Sequence, residues 1–321
     1  MVWNNDRRED NMNRIFAMLT SLMAAIVVVA SVSAASAQQD YKTPEDAVAA
    51  LVEAAKTGNE AAALAVFGAL GIEIISSGDP VYDAGQRQKF VAAYDAKHQI
   101  EVKHDKHATL IIGDKDWPFP VPLVKTKYGW EFDTDEGVQE ILARRIGHNE
   151  LDTIQVSLAY VDAQKEYAEK DRGAGAGVYA QRFISEPGTK DGLYWPAAPG
   201  EPESPLGELF AKATSQGYKA GEGRAPYRGY YYKILTKQGP HAPGGALDYI
   251  VNGKMIGGFG LIAYPADYRN SGVMTFMVSH SGTVYQKDLG PDTAAIAEKI
   301  TAYDPGPGWK PVNPSDLAAE R

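Results

Sequence analysis

The fold is decided by residues 149–170, NELDTIQVSLAYVDAQKEYAEK, and by the strand-forming segments that follow them. An apolar stripe at helical spacing runs along this stretch: Leu151, Ile154, Leu158 and Val161. Asn149 stands where a helix cap is expected, and Gly147 before it predicts the end of an earlier helix that begins near residue 134. We therefore expect a long helix over residues 149–170, with one face packed against another layer of the protein.

Four later segments have the alternation and the flanking turn residues that are typical of β-strands. They are residues 229–236, 257–264, 273–279 and 283–287. Ser281-Gly282 predicts a tight hairpin between the last two segments. A long helix followed by a four-strand antiparallel meander indicates an α+β domain, which we expect over residues 148–303. Residues 304–321 are rich in proline and glycine and predict a loose tail.

Residues 38–147 predict another α+β domain in front of this one. Helix signals begin at Thr43-Pro44, at Asn59 and at Asp83. Four short strand segments follow them, at residues 100–103, 109–112, 121–125 and 130–132. The sequence therefore predicts two domains, each with helices packed on an antiparallel sheet.

Two partial resemblances follow from this order of elements. With its aromatic strand Gly129-Trp130-Glu131-Phe132, the first half resembles the cone-shaped domains related to nuclear transport factor 2. The second half, with segments 229–235, 258–265 and 272–276, resembles the globular part of type IV pilins and pseudopilins. Pilins carry the apolar half of their helix at the mature amino terminus, whereas a whole domain precedes the helix here. The resemblance therefore does not imply assembly into a filament by that route.

The first 37 residues have the pattern of a secretory signal peptide. Arg14 provides a positive flank, residues 15–30 are almost wholly apolar, and Ala35-Ser36-Ala37 has the form that a signal peptidase accepts. The apolar run of about 16 residues is shorter than the roughly 20 that a membrane-spanning helix needs. We expect cleavage after Ala37 and a location in the periplasm or outside the cell. Met12 is a candidate alternative start to Met1.

Composition excludes several classes of function. The formal net charge is −9 with no basic cluster, which argues against nucleic acid and anionic lipid as partners. The chain has no cysteine, so thiol nucleophiles, cysteine-ligated metals and disulfides are excluded. Beyond the leader we expect no membrane-spanning segment, and the oligomeric state stays open.

The sequence carries no catalytic or metal-binding motif in its proper context. His104-x-x-His107 falls in a predicted strand–turn–strand unit among lysines, which favours a solvated hairpin. Gly258-Phe259-Gly260 has part of a dinucleotide-binding pattern, but a strand rather than a helix follows it. We therefore predict no catalytic residue, no metal ligand and no cofactor.

Aromatic residues concentrate in one third of the chain, next to loops rich in proline and glycine. Alternation along 229–236 sends Tyr230 and Tyr232 to one face of the strand and Tyr231 to the other. Exposed tyrosine and tryptophan favour sugar or protein surfaces. The candidate binding residues are therefore Tyr194, Trp195, Tyr227, Tyr230 and Tyr232; a tyrosine-rich core is the alternative.

Four segments together resemble one family over nearly the whole chain after the leader. They are Ser77-Gly78-Asp79-Pro80, Asp116-Trp117-Pro118-Phe119-Pro120, Gly192-Leu193-Tyr194-Trp195-Pro196 and Val284-Tyr285-Gln286-Lys287-Asp288-Leu289-Gly290. The family is DUF2950, a group of exported bacterial proteins of unknown function. The resemblance implies an envelope protein and brings no reaction with it. We interpret the chain as a non-enzymatic binding or assembly factor for a protein or polysaccharide. A periplasmic hydrolase of cell-wall or peptide substrates and an accessory subunit of a secretion or pilus-like system are the alternatives.

Overall fold

The computed structural model describes residues 38–219 and 225–313. Its first half begins with four helices: α1 (Pro44–Thr57), α2 (Glu60–Phe67), α3 (Gly71–Ile75) and α4 (Pro80–Ala96). An antiparallel sheet follows, built from β1 (His98–Lys103), β2 (His107–Ile112), β3 (Trp117–Pro118), β4 (Leu123–Lys125) and β5 (Trp130–Phe132). Its order is β1-β2-β4-β5, with β3 also paired to β2. The predicted leader lies outside the described residues.

Local chemistry explains where these helices begin. The Thr43 hydroxyl accepts a hydrogen bond from the Asp46 amide at 3.1 Å, and Pro44 occupies the first helical position of α1. Asn59 caps α2 in the same way. Helix α4 begins earlier than expected, because Asp79 rather than Asp83 caps it and Pro80 follows at its first position. The helices bury one face against the sheet around Phe67, Trp130 and Phe132.

A single helix, α5 (Thr134–Ala168), connects the two halves. Its 35 residues correspond to a length of roughly 52 Å. The predicted stop at Gly147 is wrong, and the helix continues through the expected domain boundary between residues 147 and 148. Asn149 does not cap a new helix; its side-chain amide donates to the Ser271 carbonyl at 2.9 Å. Tertiary contacts on both sides of Gly147 therefore outweigh its poor helix propensity.

Replacing Gly147 by alanine is expected to raise the free energy of unfolding by about 0.5–1 kcal/mol. A Cβ at this position would meet nothing within 4 Å, so alanine adds helix propensity without a clash. Urea denaturation followed by circular dichroism measures the change. Loss of stability in Gly147→Ala would show that α5 bends or breaks at this residue in solution.

The second half contains a five-stranded antiparallel sheet in the order β6-β11-β12-β13-β14. Its strands are β6 (Tyr230–Leu235), β11 (Gly260–Pro265), β12 (Met274–Ser279), β13 (Tyr285–Asp288) and β14 (Lys310–Pro311). The four predicted meander strands are therefore present, and the protein has an α+β fold. The remaining elements are helices α6 (Gly207–Ser215) and α7 (Thr293–Lys299) and the short strands β7 (Lys237–Gln238), β8 (Leu247–Asp248), β9 (Ile250–Val251) and β10 (Lys254–Met255).

Both faces of this sheet are covered. Tyr230 and Tyr232 lie on the face that packs against α5, where Tyr160 and Phe276 join the same core. Tyr231 lies on the opposite face in a core closed by Ala297 of α7 and by residues near the end of the chain. The predicted alternation of the three tyrosines is confirmed, but neither face of β6 is open.

The predicted loose tail is wrong for residues 304–313. Asp304 accepts hydrogen bonds from the His241 backbone amide at 2.7 Å and pairs with the His241 ring at 3.0 Å. Beyond it, β14 pairs with β13 through Gln286 and Lys310. Trp309 packs against the core under α7. This segment is therefore part of the second sheet and helps to cover it.

Candidate functional site

The two halves meet at a buried carboxylate, Asp79, in the turn before α4. Its side chain is 1% exposed. One oxygen, Oδ1, accepts from the Val81 and Tyr82 amides and caps α4. The other, Oδ2, accepts from the Tyr218 hydroxyl at 2.6 Å and from the Gly229 amide at 3.2 Å. Asp79 therefore fastens a segment of the second half directly to the start of a helix in the first half.

Arg145 of α5 makes the second connection at this junction. It is 7% exposed and donates to the Ile74 carbonyl at 2.7 Å, to the Ser76 carbonyl at 3.2 Å and to the Asn270 side chain. Asn270 also donates to the Ser76 carbonyl at 2.9 Å. Burial lowers the pKa of the Arg145 guanidinium, while the nearby Asp83 carboxylate acts in the opposite direction. The contacts hold α3, α5 and the loop before β12 together.

At the surface of the same junction, three ionisable side chains form a compact cluster. The Arg228 guanidinium lies 3.2 Å from the Asp152 carboxylate, and the His148 ring lies 3.3 Å from the same oxygen. Arg228 and His148 are 3.5 Å apart. Burial opposes the charge of Arg228, but Asp152 and the Tyr227 hydroxyl more than compensate and raise its pKa. We call Arg228, Asp152, His148 and Tyr227 the junction cluster.

Arg228 has a backbone conformation that non-glycine residues seldom adopt, with φ at +54°. Such a residue typically costs on the order of 1–3 kcal/mol, so the surrounding structure must hold it in place. The Tyr218 hydroxyl accepts from the Arg228 amide at 3.3 Å, and Asp79 accepts from the next amide. Gly229 leaves no room for a side chain, because a Cβ there would lie 2.7 Å from the Asn149 amide nitrogen. The buried junction therefore sets the position of the Arg228 side chain.

The cluster offers the groups that recognise a polar ligand. Arg228 and His148 provide hydrogen-bond donors, and Tyr227 adds an aromatic ring and a hydroxyl. Asp152 has one oxygen, Oδ2, buried against Arg228 and His148, so only its other oxygen is left as an acceptor for a ligand. The His148 side chain is 53% exposed and therefore reachable from solvent. Tyr227 packs edge-on against Tyr218, with ring centroids 4.9 Å apart, which fixes its orientation. Burial raises the pKa of the Tyr227 phenol, although the Arg228 charge acts against this.

The structure does not bring the five predicted aromatic residues together on one surface. Tyr227 belongs to the junction cluster, and Tyr232 lies beneath it with its hydroxyl 3.3 Å from that of Thr153. Tyr230 is fully buried, and its hydroxyl donates to the Met274 carbonyl at 3.0 Å. Trp195 is only 5% exposed, and Tyr194 stacks on Phe210 at 4.1 Å. The expectation of an open contact surface is wrong for Tyr230 and Trp195, because α5 and the loop segments around residues 193–206 cover them.

Sequence reasoning missed the charged members of the cluster. Asp152 and His148 lie on either side of Asn149, where the sequence predicts the start of a helix, and no motif distinguishes them there. The only signal near Arg228 was the tyrosine-rich segment that follows it. The Ser77-Gly78-Asp79-Pro80 turn, by contrast, was recognised as a family feature, and the structure places its aspartate at the centre of the junction.

A shallow groove of about 450 Å³ lies at the start of α5, lined among others by Gln38, Leu70 and Glu131. It shares no residue with the junction cluster. Within residues 38–219 and 225–313, no three histidine or carboxylate side chains are placed to hold a metal ion. Over the same residues, no helix is both long and apolar enough to cross a bilayer.

The fold and the site together define the chain as an α+β protein with a cluster of polar side chains where its two halves meet. The chain belongs to the family described as "Protein of unknown function (DUF2950)", whose model matches residues 38–312. No curated protein and no solved structure matches the chain. The family resemblance drawn from the four sequence segments is therefore confirmed.

Proposed function

We propose that this protein is an exported bacterial envelope protein that binds a ligand at the junction cluster without chemically converting it. The observation that carries the proposal is the Arg228–Asp152–His148 group, which is partly exposed beside Tyr227 and is held by a strained backbone. An unfavourable conformation that a buried network maintains is typical of functional positions. The network that maintains it here contains Asp79 and Tyr218.

The chemistry of the cluster favours a polysaccharide over a protein as the ligand. Sugar hydroxyls both donate and accept hydrogen bonds, so they match a surface where an arginine, a histidine and a carboxylate lie within 3.5 Å of one another. An adjacent tyrosine supplies the apolar contact for a pyranose ring. A protein partner would use the same aromatic residue, and the experiment below separates the two.

Export is part of the proposal. It rests on the apolar leader and the Ala35-Ser36-Ala37 cleavage motif. The family match begins at residue 38, directly after the predicted cleavage position, which supports the same boundary. A role as an accessory subunit of a secretion or pilus-like system would also require export. The observation that supports this alternative is the long helix followed by an antiparallel meander in the second half.

A periplasmic hydrolase is the rival reading, and the His148–Asp152 pair at 3.3 Å is the observation that favours it. A histidine oriented by a carboxylate is half of a general-base arrangement. Asp152 and Arg228, however, both lie at the His148 Nε2, and in the described part of the chain no serine or threonine hydroxyl lies within hydrogen-bond distance of either ring nitrogen. This geometry supports binding more strongly than nucleophilic catalysis.

The test is co-sedimentation of the purified protein with insoluble cell-wall polysaccharide, together with crosslinking in intact cells. Arg228→Gln is expected to weaken binding about ten- to hundredfold, because it removes a charged donor worth about 1.5–3 kcal/mol. Arg269→Gln is the matched control, since Arg269 also has a positive φ, at +65°, and lies over a neighbouring tyrosine.

The outcomes distinguish a polysaccharide ligand, a protein partner and a hydrolase. Polysaccharide binding that is lost in Arg228→Gln and kept in Arg269→Gln supports the proposal. Crosslinks to a protein without polysaccharide binding would favour a protein partner, and release of soluble fragments would favour the hydrolase. Equal binding by both variants and the parent protein would exclude the junction cluster as the binding site. Mass spectrometry of the crosslinked protein also shows whether the chain begins at Gln38.

A further inference from the structure

Strand β1 is the outermost strand of the first sheet. In the order β1-β2-β4-β5, β2 is the only strand among the described residues that pairs with it. All residues of β1 except Ile100 are exposed to solvent. An unpaired edge strand presents backbone N–H and C=O groups that can extend the sheet onto another chain. The outer edge of β1 is therefore a candidate interaction surface.

The backbone groups of Ile100 and Val102 face this outer edge. Along an antiparallel strand, successive residues alternate between those that bond the neighbouring strand and those that face away from it. The Lys103 carbonyl points toward β2, because it accepts from the Lys106 amide at 3.3 Å in the turn that connects the two strands. The alternation therefore turns the N–H and C=O groups of Val102 and Ile100 away from β2.

The core-facing side of β1 is left partly uncovered at the same edge. Ile100 pairs with Leu110 of β2, and Val102 pairs with Ala108. Both β2 residues are buried in the first core, and residues paired across two strands share one face of the sheet. Val102 therefore lies on the core side, yet it is 48% exposed. A further strand beside β1 would cover this apolar side chain.

The charges of β1 favour one alignment with a second copy of itself. Two antiparallel copies bond only if outward-facing residues meet outward-facing residues. An alignment centred on Glu101 places two carboxylates opposite each other, and one centred on Ile100 places Lys97 opposite Lys103. An alignment centred on Val102 places Glu101 opposite Lys103 twice. Opposite charges across a strand pair attract and like charges repel, so the strand is complementary to itself about Val102.

We propose that β1 pairs antiparallel with β1 of a second copy of this chain, with Val102 at the two-fold axis. The Val102 backbone groups of the two copies then bond each other, and their side chains meet on the core side. Two Glu101–Lys103 pairs form on the other side, and the two sheets become continuous. The contact is short, so we expect a reversible dimer that depends on concentration. The proposal does not depend on the function proposed for the junction cluster.

Sedimentation equilibrium over a wide range of protein concentrations measures this association. Glu101→Lys and Lys103→Glu each replace both attractive pairs by like charges and are expected to weaken the dimer about tenfold or more. An equimolar mixture of the two variants should associate again, because every pair in the mixed dimer joins opposite charges. The double variant, whose net charge equals that of the parent, should also associate. Lys89→Glu, at an exposed position of α4, is the control and should behave like the parent.

Two variants of Val102 test the position of the axis. Val102→Pro removes an outward amide without removing a bond to β2, so it should abolish association and leave the circular dichroism spectrum unchanged. Val102→Cys should form a disulfide between two copies during mild air oxidation, because paired residues of this kind have Cα atoms about 5.5 Å apart. The chain has no other cysteine. Val251→Cys, at a valine of β9 that is 44% exposed, is the control for random collision.

Charged residues on an edge strand commonly prevent pairing with other chains, and the same experiments detect that alternative. A parent protein that stays monomeric at every concentration would overturn the proposal. So would charge variants that associate as well as Lys89→Glu, or a mixture of the two single variants that stays monomeric. Disulfide formation by Val102→Cys that is no faster than that of Val251→Cys would also contradict it.

Discussion

Asp79→Ala is expected to lower the free energy of unfolding by about 3–5 kcal/mol. The change removes the cap of α4, which is typically worth about 0.5–2 kcal/mol. It also leaves the Tyr218 hydroxyl and the Gly229 amide without their acceptor at the junction, at about 1–3 kcal/mol for each group that stays buried. Urea denaturation followed by tryptophan fluorescence and by circular dichroism measures the loss.

Asn59→Ala is the matched control for this prediction. It removes a cap of the same kind from α2, where the Asn59 side chain accepts from the Ala62 amide at 3.1 Å in an exposed position. We expect it to cost only about 1 kcal/mol. If Asp79→Ala and Asn59→Ala lower stability equally, the contacts of Asp79 to the second half contribute nothing. Asp79→Asn keeps a single acceptor oxygen, which can serve either the α4 amides or the Tyr218 and Gly229 donors, and it should fall between the two.

Much of the second sheet could be predicted because its strands and turns are specified by residues that are close together in the sequence. The alternation of Tyr230, Tyr231 and Tyr232 placed them on the correct faces, and the turn residues gave the strand boundaries to within about one to three residues. The same alternation could not show that both faces are covered. That depends on α7 and on residues 304–313, whose proline- and glycine-rich sequence resembles a loose tail.

The junction could not be predicted because its partners are distant in sequence. Asp79 and Tyr218 are 139 residues apart, and Asp79 and Gly229 are 150 apart. No local sequence pattern specifies such pairs. The turn before α4 therefore did not indicate that Asp79 also accepts hydrogen bonds from Tyr218 and Gly229. The continuous helix through Gly147 was missed for a related reason. Contacts from Arg145 to α3 and from Asn149 to Ser271 hold the helix on either side of a glycine that would weaken it in isolation.

Buried tyrosines make the protein sensitive to alkaline pH, and we expect the free energy of unfolding to fall steeply above about pH 10. Tyr160, Tyr230, Tyr249 and Tyr303 are each at most 1% exposed. Burial raises the pKa of each phenol above its ordinary value of 10.0. The folded state therefore keeps protons that the unfolded state releases. The stabilising contribution is complete below about pH 10 and is lost as the pH rises toward the folded-state pKa.

Each such tyrosine removes about 1.4 kcal/mol of stability per pH unit in that range. Together they exceed the marginal stability of a typical domain, about 5–15 kcal/mol, within one to three pH units. Unfolding free energies from urea titrations at closely spaced pH values measure the slope, and absorbance at 295 nm reports phenolate formation. Tyr160→Phe should reduce the slope by one proton, because the Tyr160 hydroxyl donates to the buried Gly260 carbonyl at 3.1 Å. A slope unchanged in Tyr160→Phe would mean that Tyr160 titrates in the folded state as readily as in the unfolded chain.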